Sequence, residues 1–283
     1  MAEEIRPLAR ALVRSAAGPG RGPWRARSAP AAASLAVIGA VVAAWQLLAQ
    51  ARLLPAFLVS PAAVAGQLVA LAVSGELVRH AAASLYRSVA GLALGAGGGV
   101  ALGLVAGVAR PVAAFFDPLV ALTYPVPKVA LLPVLIVWFG ISDLSKIMVI
   151  AISCFYPCFI AALYGARATH PTWVWAAQSM GARPARTFLR VVLPAAAPQI
   201  FSGLRVALAL SFILMLASEM IGSSNRTGLG FLILAADASG RFDLMFAAIA
   251  AIAALGFGAD RALLGLRRIL APAALAAEAA PGE

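Results

Sequence analysis

The stretch 175-WAAQSMGARPARTFLRVVLP-194 interrupts a chain whose composition is otherwise that of material facing lipid. It sets three arginines, a glycine and two prolines into an apolar background. The 283 residues are 63% hydrophobic and only 12% charged, with a mean hydropathy of +0.94. A soluble domain runs at roughly 45–50% apolar and about 25% charged. One soluble core cannot bury so much apolar surface, so the solvent is lipid. The net charge of +11 raises nucleic acid as a partner. The arginines, however, lie between apolar runs, as they do in the cytoplasmic loops of membrane proteins. That distribution argues against nucleic acid.

Six segments can cross a bilayer, each needing about 20 largely apolar residues. They are 31–50, about 84–109, 117–141, 147–166, about 199–221 and 244–264. Residues 53–75 carry no charge, but Pro55 and Pro61 break their front. Ser60 before Pro61 reads as an N-cap and first helical position. The helix that follows, with Val64, Leu68 and Leu71 on one face, is expected to lie in the membrane interface.

Charge parity supports six spans with both chain ends inside. The inside groups are then Arg6, Arg10, Arg14, Arg21, Arg25, Arg27, Arg110, Arg167, Arg183, Arg186, Arg190, Arg261, Arg267 and Arg268. Outside are Arg52, Arg79, Arg87, Lys146, Arg226 and Arg241. The sequence AQA at 49–51 resembles a signal cleavage site, but an apolar run of about 20 residues exceeds the 7–15 of a signal core. A retained anchor is expected. The organisation is therefore a basic cytoplasmic tail (1–30), a first anchor (31–51), an extracytoplasmic or interfacial segment (52–83), a membrane core (84–268) with a cytoplasmic loop (167–198), and a C-terminal tail (269–283).

Gly91, Gly95, Gly99, Gly103 and Gly107 recur every fourth residue of the second span. Such a stripe lets a neighbouring backbone approach closely, within one chain or across a dimer. The third span holds Pro118, Pro125, Pro127 and Pro133, and each removes a backbone donor. A helix so broken survives in lipid only where protein or a water-filled cavity covers its free carbonyls. Lys128 sits among these prolines, either lining a pathway or snorkelling to the inner interface. Glu219 and Arg205 in the fifth span pose the same choice, and their closeness to span ends favours snorkelling. Pro125, Pro127, Lys128, Pro133 and Glu219 are the pathway candidates.

No enzyme site emerges. Cys154 and Cys158 lack further ligands for zinc and are expected to pack as small apolar residues. His80 and His170 have no partner at triad or metal spacing, and no Walker A run is present. The chain itself is expected to hold no metal and no cofactor.

The loop 167–198 remains. Thr172 can cap a short helix ending at Gly181, with Trp173, Ala176, Ala177 and Met180 on one side. A second amphipathic helix then carries Arg183, Arg186 and Arg190, and Pro194 and Pro198 stop it before the fifth span. This reads either as a docking helix for a partner's groove or as a basic topology anchor.

A resemblance decides between them. Ala176 and Ala177, then Gly181 after three residues, then Val191, Leu193 and Pro194 after nine more, resemble the motif E-A-A-x3-G-x9-I-x-L-P of binding-protein-dependent ABC importer permeases. Trp175 stands where that family has glutamate. The stretches 75-GELVRHAAASLYRS-88, 124-YPVPKVALLPVLIVWFGISDLSKI-147, 193-LPAAAPQIFSGLRVALALSF-212 and 218-SEMIGSSNRTGLGFLI-233 resemble its sulfonate, nitrate and taurine branch.

The resemblance implies an all-α polytopic membrane protein of about six spans with the type I (MetI-like) importer permease fold, in a bacterial inner membrane. It implies a homodimer paired with two ABC ATPase subunits, which would hold the ATP and magnesium, and with an extracytoplasmic solute-binding protein. The loop would be the coupling helix, with Trp173, Trp175, Ala176, Ala177, Met180, Gly181, Ala182, Arg183, Leu193 and Pro194 at the ATPase-docking surface. The rival is a secondary transporter with no ATPase. It would need paired intramembrane charges and an inverted repeat, and neither is evident in the sequence.

Overall fold

A computed structural model describes residues 29–222 and 226–270. The chain divides into two units, 1–54 and 55–283. In the first unit, helix α1 (Ala29–Gln50) is 22 residues long. At 1.5 Å per residue that is about 33 Å, enough to cross a bilayer core.

The second unit opens with α2 (Pro61–Val73), which Ser60 caps by accepting the Ala63 N–H at 3.3 Å. Its expected apolar face meets protein. Val64 and Leu71 are buried against α10 (Leu229–Ala238) and α11 (Phe242–Leu270), and Leu68 packs at the edge of the same cluster.

The centre is built from α3 (Glu76–Val108), α6 (Asp143–Arg167) and α9 (Leu193–Ile221). The glycine stripe explains how α3 and α6 pair. A Cβ on Gly91, Gly95, Gly99, Gly103 or Gly107 would meet the carbonyl of Ile147, Ala151, Phe155, Phe159 or Leu163 respectively. Both helices thus use a four-residue repeat, and the two backbones touch along five turns. The contact lies within one chain. On the other side of α6, Gly203 admits Pro157 and Ala161, so α9 approaches just as closely. Cys154 and Cys158 are fully buried as free thiols in the core between these helices.

One reading of proline holds and one needs correction. The third span is broken as its prolines suggest, although it starts at Arg110 rather than 117. It comprises α4 (Arg110–Thr123), a 3₁₀ turn (Lys128–Leu131) and α5 (Leu132–Phe139), bent by 91°. The helix stops before Pro125, with Tyr124 still in the helical region as its C-cap, and Pro127 is extended (ψ 107°) ahead of the 3₁₀ turn. Pro118 is accommodated inside α4, and Pro133 falls in the first turn of α5, where no donor is needed. Conversely, Pro194 and Pro198 do not stop the loop's second helix. Short α8 (Pro184–Thr187) runs through a π-turn (Phe188–Val192) directly into α9. In that turn the Leu193 N–H reaches back five residues to the Phe188 carbonyl. The slip of one residue lets Pro194 sit at the start of a new helical register. Among the described residues, five helices are long and apolar enough to cross a membrane, and the bent pair, taken as one span, makes a sixth.

Candidate functional site

Three features of the second unit stand out: a helical loop at one end of the bundle, a polar elbow at mid-depth, and a buried ion cluster at the other end.

The loop connects the end of α6 to the start of α8. Its helix α7 (Pro171–Ser179) begins at His170, not Thr172. Pro171 is preset for the first helical position, and the His170 ring accepts the Thr172 N–H. At the other end Gly181 takes φ +78°. The Gly181 N–H bonds the Gln178 carbonyl at 2.9 Å, and the Ala182 N–H bonds the Ala177 carbonyl at 3.0 Å. These paired bonds satisfy the last carbonyls and need a left-handed residue, which glycine supplies.

The expected apolar face is divided. Ala177 is buried, and Val174 packs on the cluster of Leu104, Ala162, Ala166, Val192 and Ala196. Trp173, Trp175 and Met180 point away, at 58%, 64% and 80% exposure. Ala176, Gly181, Arg183 and Pro194 are exposed, and Ala182 is half-buried. Leu193 packs into the chain's own cluster rather than outward. Three large apolar side chains exposed within eight residues of a short helix form the kind of patch that marks an interaction site.

The elbow gathers Pro125, Pro127, Lys128 and Pro133 from the broken third span. Lys128 Nζ donates to the Thr123 carbonyl at 2.9 Å and to the Tyr124 carbonyl, covering the open end of α4. It also sits 4.4 Å from the centre of the Tyr156 ring. Tyr156 lies at the middle of the 25-residue α6, so Lys128 is at mid-depth and does not snorkel to an interface. Beside it is a cavity of about 280 Å³, lined by Tyr124, Lys128, Ser153, Tyr156 and residues of α9.

Glu219 is not at the elbow, and it does not snorkel either. It is 1% exposed and forms a 2.6 Å ion pair with Arg87, itself 1% exposed. Arg87 was counted among the outside charges but is buried within α3. Its guanidinium also donates to Asp143 Oδ1 at 2.8 Å, to the Thr227 carbonyl at 2.9 Å and to Thr227 Oγ1 at 3.1 Å. Glu219 accepts further from Ser84 Oγ and from the Gly230 N–H. His80 Nδ1 lies 2.9 Å from the Gly228 carbonyl oxygen. Lys146, also counted among the outside charges, is 2% exposed in the first turn of α6, and its Nζ has no hydrogen-bond partner among the described residues.

The sequence suggested no paired charges within spans, and this cluster corrects that. It ties the starts of α3 and α6 to the end of α9 and to the 226–230 segment. Arg205 is paired as well, through both Nε and Nη2 to Asp260 of α11 at 2.7 and 3.1 Å.

The protein is thus a polytopic helical membrane protein, with a short helix bearing an exposed apolar face at one end of its central helices and a charge cluster at the other. Residues 99–271 match the family described as "Binding-protein-dependent transport system inner membrane component". The taurine transport system permease protein TauC of Escherichia coli is 33% identical, over 84% of this chain and 88% of that protein. Two proteins named "Putative aliphatic sulfonates transport permease protein SsuC" are similar. That of Escherichia coli is 35% identical over 81% of this chain and 87% of its own length. That of Bacillus subtilis is 31% identical over 76% and 78%. The chain belongs to this family: it is an inner-membrane permease component of a binding-protein-dependent ABC importer. Membership favours the importer over the secondary transporter.

Proposed function

We propose that two copies of this chain form the translocation path of an importer for small organosulfonates, driven by a pair of ATPase subunits that dock on α7. The observation that carries this reading is α7 itself. It stands at the position of the E-A-A-x3-G motif, is closed by Gly181, and turns Trp173, Trp175 and Met180 outward. With tryptophan in place of the motif's glutamate, the docking contact is apolar, an aromatic and thioether face seated in a partner's groove. The sulfonate class follows from the taurine and aliphatic sulfonate relatives. ATP and magnesium belong to the partner subunit, and the solute arrives on a binding protein.

Both chain ends and the loop face the cytoplasm. With Arg87 and Lys146 buried, the outer side keeps only Arg52, Arg79, Arg226 and Arg241 from the original outer set, so the inside bias is stronger than a count of charges suggested. Closure of the ATPases pushes on α7, and α6 and α9, which flank it in sequence, carry the displacement across the membrane as a rocking of rigid helices.

Gly181→Asp tests the docking assignment. Among the described residues no atom lies within 4 Å of a Cβ at this position, so the variant begins its new side chain in open space. It adds backbone strain of about 1 kcal/mol at a left-handed site and places a charge on the docking face. The expected result is normal membrane level with sulfonate uptake lost. Uptake at the wild-type rate would overturn the assignment.

A further inference from the structure

Lys128 lies beside the middle of α6, where a charge is expensive, rather than at either end of the bundle. Among the described residues it forms no ion pair with a carboxylate, whereas Arg87 and Arg205 are each paired. Lys146 also lacks a salt bridge but is 2% exposed beside the Arg87–Glu219 cluster, away from the cavity next to Lys128. For Lys128 the surroundings are different. Its contacts are two carbonyls at the end of α4 and the face of Tyr156. A helix end offers only about half a negative charge, and a ring face attracts a cation without neutralising it. Of the three N–H donors on an ammonium, those two carbonyls use two.

The adjoining cavity of about 280 Å³ lies between the elbow, the middle of α6 and the middle of α9. Its wall on α6 offers acceptors. Pro157 has no N–H to give the Ser153 carbonyl, and Ser153 Oγ spends its own proton on the Val149 carbonyl at 2.9 Å. Val206, Leu210 and Leu214 supply an apolar side.

We propose that this cavity is a solute site inside the membrane, in which a small organic anion completes the charge of Lys128 on its way through the permease. The anionic head takes the third N–H of Lys128. The Tyr124 and Tyr156 rings and the α9 side chains contact the short carbon stem. The Ser153 oxygens accept a proton donor carried at the ligand's other end. Between transport events water fills the site, and the carbonyls of Thr123 and Tyr124 hold the ammonium in place. The inference rests on the reading of the chain as a permease for organosulfonates and adds a second point of selectivity beyond the binding protein.

Lys128→Gln tests it in the complete transporter, with ATPase and binding protein present. The glutamine amide keeps donors for the Thr123 and Tyr124 carbonyls but carries no charge, so it separates the anion site from the helix cap. Uptake of labelled 2-aminoethanesulfonate, ethanesulfonate, a short carboxylate and an uncharged sulfone is measured as a function of concentration, alongside membrane level and recovery of the ATPase subunit. The expected result is roughly tenfold or greater loss of anion uptake, the scale of one charge-assisted hydrogen bond. Assembly should be unchanged, and Lys128→Arg should retain uptake. Wild-type anion uptake by Lys128→Gln would overturn the site while leaving the permease reading intact. A wild-type transporter that carries only the uncharged sulfone would overturn both.

Discussion

Replacing Arg87 by leucine is expected to cost about 3–5 kcal/mol, the loss seen when one partner of a buried ion pair is removed. The variant leaves the Glu219 carboxylate at 1% exposure, with Ser84 and Gly230 as its donors but without its ion-pair partner; the nearby Lys146 makes no salt bridge to it. The variant also releases Asp143 and Thr227, so the 226–230 segment loses one of its ties to α3 and keeps those made by His80 and Ser84. The cost arises from stranding a charge. The double replacement Arg87→Leu with Glu219→Leu is therefore expected to recover more than half of the lost stability. Asp143, at 36% side-chain exposure, can return to solvent. Thermal unfolding of the detergent-solubilised chain checks both variants. A double variant as unstable as the single would show that the pair is held for shape rather than charge.

The second large effect is a change of sign along one helix. Gly99→Ala on α3 is expected to destabilise by about 1–3 kcal/mol, the range for inserting volume into a packed core. Its Cβ would sit 2.5 Å from the Phe155 carbonyl oxygen, and a backbone atom in mid-helix cannot step aside. Gly97→Ala, two residues earlier, meets nothing within 4 Å. There alanine is expected to stabilise by roughly 0.5–1 kcal/mol through helix propensity alone. Opposite shifts in unfolding temperature for the two variants would verify that the stripe serves the α3–α6 contact. Equal shifts would mean that glycine is required on α3 for another reason.

These two cases also show what the sequence made legible. Residues spaced along one helix report on that helix, so the stripe from Gly91 to Gly107 and the capping of α2 by Ser60 could be read directly. Its partner could not: nothing in the spacing says whether the stripe faces α6 or a second copy. The ion cluster is hidden for the same reason, more severely. Arg87 and Glu219 are 132 residues apart. Each, read alone, resembles a charge marking the end of a span, and a hydropathy window cuts a helix at such a residue. Burial of the pair is a property of three helices meeting, and no single segment carries it.

Proline was read correctly at Pro125 and Pro127, which lie in the break between α4 and the 3₁₀ turn, and wrongly at Pro194 and Pro198. A π-turn upstream absorbs the missing donor at Pro194 without ending the helix. The loop lay between these extremes. Gly181 and its left-handed turn were legible because only the local backbone decides them. The inward turn of Ala177 required knowing that α7 rests on the cluster around Leu104 and Ala166.

The arrangement suits a device that moves as levers. The glycine-lined contact and the Arg87–Glu219 cluster bind α3, α6 and α9 into one block, and the bend between α4 and α5 is the place where the chain is least continuous. Force entering at α7 would then tilt the block, with the elbow and its cavity at the middle of the lever.

The most direct test of that account places a photo-crosslinking side chain at position 175 in the complete transporter and identifies the adduct by mass spectrometry. The account predicts a covalent product with the ATP-binding subunit, formed in the wild-type background and lost with Gly181→Asp. Adducts confined to lipid or to this chain, in a transporter that imports normally, would contradict the assignment of α7 as the docking helix.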